Sequence, residues 1–263
     1  MYSQVGFIKR LNFKPKKYKM IVSKQNSLVK EVRSLLTKKF RDKTGRFIVE
    51  GVKMVNEAFL LNQKVLAVLC TEKCLGQINV NGFAVETVSE EVYASISDEK
   101  SPQGVLAVLQ KPDTAPIKPQ SSCVLLDGVS DPGNMGTIIR TMACAGYKDL
   151  YLTSDCADPF SPKTVRSSMS GIYNVRVHIA KREQLLEIIN LPIIVADMQG
   201  QNLFETRVKQ DFCLVIGNEA HGVSDQVIEK SAMTVSIPMQ EGMESLNAGV
   251  SAGILMYALK NQQ

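Results

Sequence analysis

From Asn26 onward, Leu28, Val32, Leu35 and Leu36 recur at helical spacing. The stretch FIVEGVKMVNEAFLLN follows, with a short strand over Phe47 to Val49 and then a helix bearing Val52, Val55, Phe59 and Leu60. KVLAVLC, FAVETVS and GVLAVLQ read as strands that alternate with helical stretches, which predicts a small α/β domain over residues 22–110. Residues 111–121 carry Pro112, Pro116 and Pro119 without apolar periodicity, the composition of a linker. Beyond it, CVLLD, DLYLT, NVRVHI, PIIVAD, CLVIG and TVSIP are short apolar runs bounded by Gly, Pro, Asp or Asn, with helical segments between most of them. That pattern predicts a largely parallel sheet covered on both faces over residues 122–263.

A chain of 263 residues suits two such domains. No run approaches the roughly 20 apolar residues of a membrane span, and the first residues lack the apolar block of a secretory signal, so a cytoplasmic protein without membrane contact is expected. The six cysteines are scattered and mostly lie in or beside apolar runs, which fits reduced, packed thiols. Cys70 and Cys74 are close, but with only His178 and His221 far away they make a poor zinc set, and no metal is expected.

Charge changes the picture more. Residues 1–46 hold 14 Lys or Arg against Glu31 and Asp42, a net of +12 in a chain of +5, which leaves the remaining 217 residues at −7. Such asymmetry is either a footprint for a polyanion or an ordinary solvated face. Lys38, Lys39, Arg41 and Arg46 are the candidates within it for contact with a polyanion such as RNA. Residues 1–21 show no helical or strand period and are expected to be a mobile basic segment.

Three strands of the second half run into unusual loops. Val124 to Leu126 lead into Gly128, Pro132, Gly133 and Gly136 before a helix, with Asn134 placed to cap it and Arg140 about one turn inside. CLVIG leads into Gly217, Asn218, Glu219 and Gly222, with Ser224 placed to cap the next helix. Ile237, Pro238 and Met239 end the third strand before a helix expected from near Ser245, bearing Ala248, Gly249, Ser251, Ala252 and Gly253. Taken singly, each loop also reads as a tight turn, a solvated acid or close helix packing. Together they lie at the carboxyl ends of strands, where open α/β sheets bind ligands. Small residues, backbone donors and few charges suit an adenosyl cofactor, and neither a G-x-G-x-x-G nor a GK[ST] motif occurs.

LLDGVSDPGNMGTIIRTMACAG, LVIGNEAHGVS and IPMQEGMESLNAGVSAGILMYAL resemble, in order and spacing, the three signature motifs of the SpoU (TrmH-like) family of RNA ribose methyltransferases. SPKTVRSSMSG resembles a further family segment, and its Arg166 is a candidate phosphate contact. FIVEGVKMVNEAF and PQGVLAVL resemble the family's L30e-like substrate-binding domain, so the resemblance spans roughly residues 22–259. It implies a C-terminal domain tied in a trefoil knot, against the usual absence of knots, and a homodimer whose partner completes each site. It further implies S-adenosylmethionine bound at Gly217, Ile237, Met239 and Leu246, a catalytic and substrate set of Asn134, Arg140, Glu219, Ser245 and Asn247, and ribosomal RNA ahead of transfer RNA as substrate. A non-catalytic RNA-binding assembly factor is the alternative from another class. The chain departs from the family at Thr137, where Ala is common, and at Ala248 and Gly249, where Val-Ser is common.

Ribose methylation needs a group to take the hydroxyl proton. Either Arg140 stabilises the developing alkoxide while a phosphate oxygen, water or Glu219 takes the proton, or Arg140 itself accepts it in a site that lowers its pKa. Asn134 is expected to orient Arg140.

Overall fold

Asn26 opens the first helix of the described residues by accepting the backbone N–H groups of Leu28 and Val29. The computed structural model describes residues 20–243 and 245–260. The segment expected over residues 1–21 therefore lies, up to residue 19, outside the described residues.

The helical pattern from Asn26 resolves into two helices, α1 (Ser27–Ser34) and α2 (Lys38–Thr44). Between them Leu36 and Thr37 donate to Arg33 and Ser34, three residues back, which tightens the chain before the extended Thr37 starts α2. Four strands follow, β1 (Arg46–Glu50), β2 (Val65–Cys70), β3 (Glu86–Thr87) and β4 (Val105–Gln110), in the order β1-β4-β2-β3. FAVETVS contributes only the two residues of β3, because left-handed Asn81 and Gly82 turn the chain just before it. Helices α3 (Val52–Leu60) and α4 (Glu90–Ala94) complete this half. Alternate residues serve opposite faces: Ile48, Leu106 and Val108 pack with α1 and α4, while Phe47, Val49, Ala107 and Leu109 join α3.

The second half is a six-stranded, all-parallel sheet. Its strands are β5 (Cys123–Asp127), β6 (Asp149–Thr153), β7 (Arg176–Ala180), β8 (Ile193–Asn202), β9 (Cys213–Gly217) and β10 (Met233–Ser236), in the order β10-β8-β9-β5-β6-β7. Helices α5 (Pro132–Ala145), α6 (Pro162–Ser168), α7 (Arg182–Ile188), α8 (Asp225–Ile228) and α9 (Ala248–Lys260) connect and cover it. Val124, Leu126, Leu214 and Ile216 pack on one face with α5 and α9. Cys123, Leu125, Cys213 and Val215 pack on the other with α7 and α8. Both faces are covered, as the unbroken apolar runs predict.

The two halves share one apolar cluster, in which the rings of Phe47 and Phe160 lie 5.1 Å apart. The nearly buried Arg41–Asp158 ion pair (2.7 Å) and the Tyr173 hydroxyl, which donates to the Met54 carbonyl, cross the same seam. The proline-rich stretch is anchored too: Thr114 O accepts from Ile179 N–H and Ile117 O from the Tyr151 hydroxyl. Among the described residues no helix is long and apolar enough to cross a membrane, and no three His, Cys, Asp or Glu side chains gather to hold a metal ion.

Candidate active site

The three loops leave the carboxyl ends of β5, β9 and β10. β5 and β9 are neighbours, with Asp127 opposite Gly217, but β8 and β9 separate β10 from β5. The loop that follows β10 therefore ends, at Asn247, beside the start of α5.

There the side chains form a relay. Asn134 Nδ2 donates to Glu219 Oε1 at 2.8 Å, and Asn134 Oδ1 accepts from Asn247 Nδ2 at 2.8 Å. Asn247 Oδ1 accepts the backbone N–H groups of Gly249 and Val250, so Asn247 caps α9 while its amide reaches α5. This cap begins the helix at Ala248, three residues later than the expected start near Ser245. Asp131, rather than Asn134, caps α5: with Pro132 at the first helical position, Asn134 is third in the helix and gives its own N–H to Asp131 Oδ1.

Glu219 has every acceptor site filled. Oε2 accepts from the N–H and hydroxyl of Ser130, and Oε1 accepts from the Asp131 N–H as well as from Asn134. Burial pushes its carboxyl up, but the Asn134 and Ser130 hydrogen bonds outweigh that and hold it below the usual glutamate range. An ionised, saturated carboxylate is a poor proton acceptor and a good organiser. Chemically, the geometry points away from Glu219 as the base.

Asn134 is engaged once at each end of its amide, by Glu219 and by Asn247, and among the described residues no hydrogen bond joins it to Arg140. Six residues on in α5, at 100° and 1.5 Å per residue, Arg140 stands roughly 240° round the helix and about 9 Å along it. It is exposed, and among the described residues it pairs with no carboxylate. Within one protomer the structure does not bring Arg140 into the relay.

Gly217 is half-buried, and a Cβ there would lie 2.3 Å from the Gly222 carbonyl carbon, so only glycine lets the loop fold back on itself. Ile237 is half-buried, and Met239, Ser245 and Leu246 are exposed beside the equally exposed Met243. Apolar Ile237, Met239, Met243 and Leu246 thus lie in the segment that leads to Asn247 of the relay.

Sequence reading missed the residues that hold the loops. Asn218 donates to Gly128 O and accepts the N–H groups of Ala220 and His221. Buried Asp127 accepts from Arg182 Nε (2.6 Å) and from the Ser224 N–H (2.8 Å), tying β5 to the Glu219 loop. The available signal was a carboxylate at the end of an apolar strand, which rarely stays buried without a partner.

The RNA-contact candidates separate by environment. Lys38 and Lys39 are exposed. Arg46 pairs with Glu31, and Arg166 with Glu99 (2.8 Å) and Asp98. Arg41 corrects its expectation: it is 3% exposed, donating to Asp158 and the Leu35 carbonyl, and so is spent on the seam between the halves.

With this geometry in view, comparison with known proteins is decisive: a SpoU rRNA Methylase family profile matches residues 121–257. The chain belongs to the SpoU family. An MRM3-like substrate binding domain profile matches residues 26–107, which contain the smaller sheet up to β4. The SpoU chain is 31% identical to the 23S rRNA (guanosine(2553)-2'-O)-methyltransferase RlmP of Bacillus subtilis, over 92% of this chain and 99% of that protein. It is 28% identical to the 23S rRNA (uridine(2479)-2'-O)-methyltransferase of Streptomyces viridochromogenes, over 92% of each. Among solved structures, the AdoMet-bound rRNA methyltransferase of Sinorhizobium meliloti superposes with a TM-score of 0.83 at 29% identity, over 92% of this chain and 97% of that one.

Proposed function

We propose that this SpoU chain is an S-adenosylmethionine-dependent methyltransferase that methylates a ribose 2′-hydroxyl of 23S ribosomal RNA. The observation that carries the reading is the Glu219–Asn134–Asn247 relay, which joins the three separate strand-end loops through two 2.8 Å hydrogen bonds.

The residues present fit the cofactor. Gly217 lets its loop fold tightly on itself, and Ile237, Met239 and Leu246 offer apolar contact to a nearly flat adenosyl group, with no lysine or arginine among them to repel a sulfonium. The cofactor supplies an electrophilic methyl group. The chain's own part is placement: Asn134 and Asn247, immobilised by Glu219, and the exposed Ser245 hold the nucleotide so that its hydroxyl meets the methyl in line, at roughly 3 to 3.5 Å. Arg140 holds the adjacent phosphate and stabilises the developing alkoxide, with a phosphate oxygen or water taking the proton.

Several finer features belong to the same reading. Arg140 faces away from its own relay, and exposed Val250 and Tyr257 lie on α9, the helix packed against α5. Both support a homodimer in which each site receives Arg140 from the partner subunit. The match of residues 121–257 to the family supports a trefoil knot in the domain of residues 122–263. Residues 22–110 then form an L30e-like RNA-binding domain, joined through residues 111–121, with Lys38, Lys39, Arg46 and Arg166 as phosphate contacts. The basic N-terminal segment adds affinity, and the enzyme works in the cytoplasm.

The deciding experiment incubates the protein with labelled S-adenosylmethionine and either 23S rRNA or tRNA, followed by mass spectrometry of nuclease fragments. One 2′-O-methyl nucleotide in 23S rRNA is expected. Label in tRNA instead reassigns the substrate, and RNA binding without label or cofactor binding makes the protein an assembly factor.

A further inference from the structure

Phe40 is 40% exposed on α2. Lys38, Lys39 and Lys43 are exposed on the same seven-residue helix, and Asp42, its one acid, is taken by Lys111 at 3.0 Å. At helical spacing Lys39 and Lys43 stand four residues apart on one face, and Phe40 lies beside them, about 60° round the helix from Lys43. The next residue, Arg41, points inward to Asp158 and Leu35 and pins the helix, so Phe40 is held outward by a buried ion pair.

Contacts also fix this surface relative to the relay. Asp158 lies in the loop that opens α6, the α6 residue Lys163 pairs with Asp131 at 3.0 Å, and Asp131 caps α5 and receives the Asn134 N–H. Exposed aromatic surface beside lysines that pair with no carboxylate among the described residues is the chemistry that holds single-stranded nucleic acid: cations take phosphates, and the ring takes the face of a base.

We propose that Phe40, with Lys39 and Lys43 beside it, is a stacking platform for one unpaired base of the RNA whose ribose enters the active site. This rests on the RNA-methyltransferase reading above. The ring selects an unstacked nucleotide, which a base-paired helix cannot present, and so helps to direct the enzyme to a loop.

The test measures binding of a fluorescently labelled 23S rRNA transcript over a salt series, using the full chain and its F40A, F40L, F40W and K39A/K43A variants. F40A is expected to weaken binding about 5- to 150-fold and to raise KM for RNA at unchanged kcat, with an unaltered slope of log Kd against log salt. F40W restores affinity and F40L does not. K39A/K43A instead flattens the slope, by roughly 0.7 for each lysine meeting a single strand. Phe40 binding within twofold of wild type after alanine substitution, F40L matching F40W, or a change in oligomer mass on sedimentation of F40A overturns the inference while leaving the methyltransferase reading intact. Absence of RNA binding by the wild-type chain overturns both.

Discussion

Thr137 and Gly249 are complementary: a Cβ placed on Gly249 would stand 3.0 Å from Thr137 Cγ2 and 3.1 Å from its Cβ. These are two of the positions at which the chain departs from the usual family residues, Ala in the first motif and Ser in the third. The larger residue on α5 faces the smaller one on α9, and Gly249 leaves the room that Thr137 fills. Close helix packing is the use of the small residue at Gly249.

The pair predicts a non-additive mutant cycle. Gly249→Ser alone overpacks the contact and should lower stability by about 1 to 3 kcal/mol. Thr137→Ala in the same chain should recover most of it, with a coupling of roughly 0.5 to 3 kcal/mol measured by denaturant unfolding. Simple additivity would show that the two helices do not meet there.

Glu219 should act by structure at neutral pH. A carboxyl depressed by folding contributes stability that is complete above its unfolded value, about 4.3, and is lost as pH falls through the lower folded value. A pH-rate profile between about pH 6 and 9 should therefore show no Glu219 titration, while Glu219→Gln, which faces the donors Ser130 and Asn134 with an amide, should lower kcat at least about tenfold. An inflection in that range that disappears in Glu219→Gln would instead make Glu219 the base.

Arg140→Ala should abolish methylation and leave S-adenosylmethionine affinity within about threefold, because it removes an interaction made with the RNA. Mixing inactive Arg140→Ala with inactive Asn134→Ala subunits should restore activity in heterodimers, which hold one site with both residues. No recovery, with exchange of subunits verified, would place Arg140 in its own protomer's site.

Arg41 separates stability from RNA affinity. Arg41→Met leaves Asp158 buried without its cation and should cost about 3 to 5 kcal/mol of unfolding free energy. Its slope of RNA affinity against salt should match wild type, whereas Lys38→Ala should reduce that slope. A reduced slope for Arg41→Met would return Arg41 to the RNA surface.

Local pattern alone determined much of this protein. The apolar runs from Cys123 to Asp127 and from Cys213 to Gly217 announce buried parallel strands, and the polar residues after them mark the loops that meet. Asn134 and Glu219 were legible as candidates in loops that break the surrounding pattern, and Asn247 through the resemblance of the third motif to the family. Their arrangement was not legible, since the hydrogen bonds that join them span 85 and 113 residues of chain and depend on the strand order. Tertiary structure alone decided that Asn134 serves Glu219 and Asn247 instead of Arg140, that Arg41 turns inward while Phe40 turns out, and that Asp127 anchors a loop 97 residues away. Periodicity reports which face of an element is apolar. Which polar group meets which depends on desolvation, since a buried donor or charge is stable only where the fold supplies a partner, and that partner comes from elsewhere in the chain.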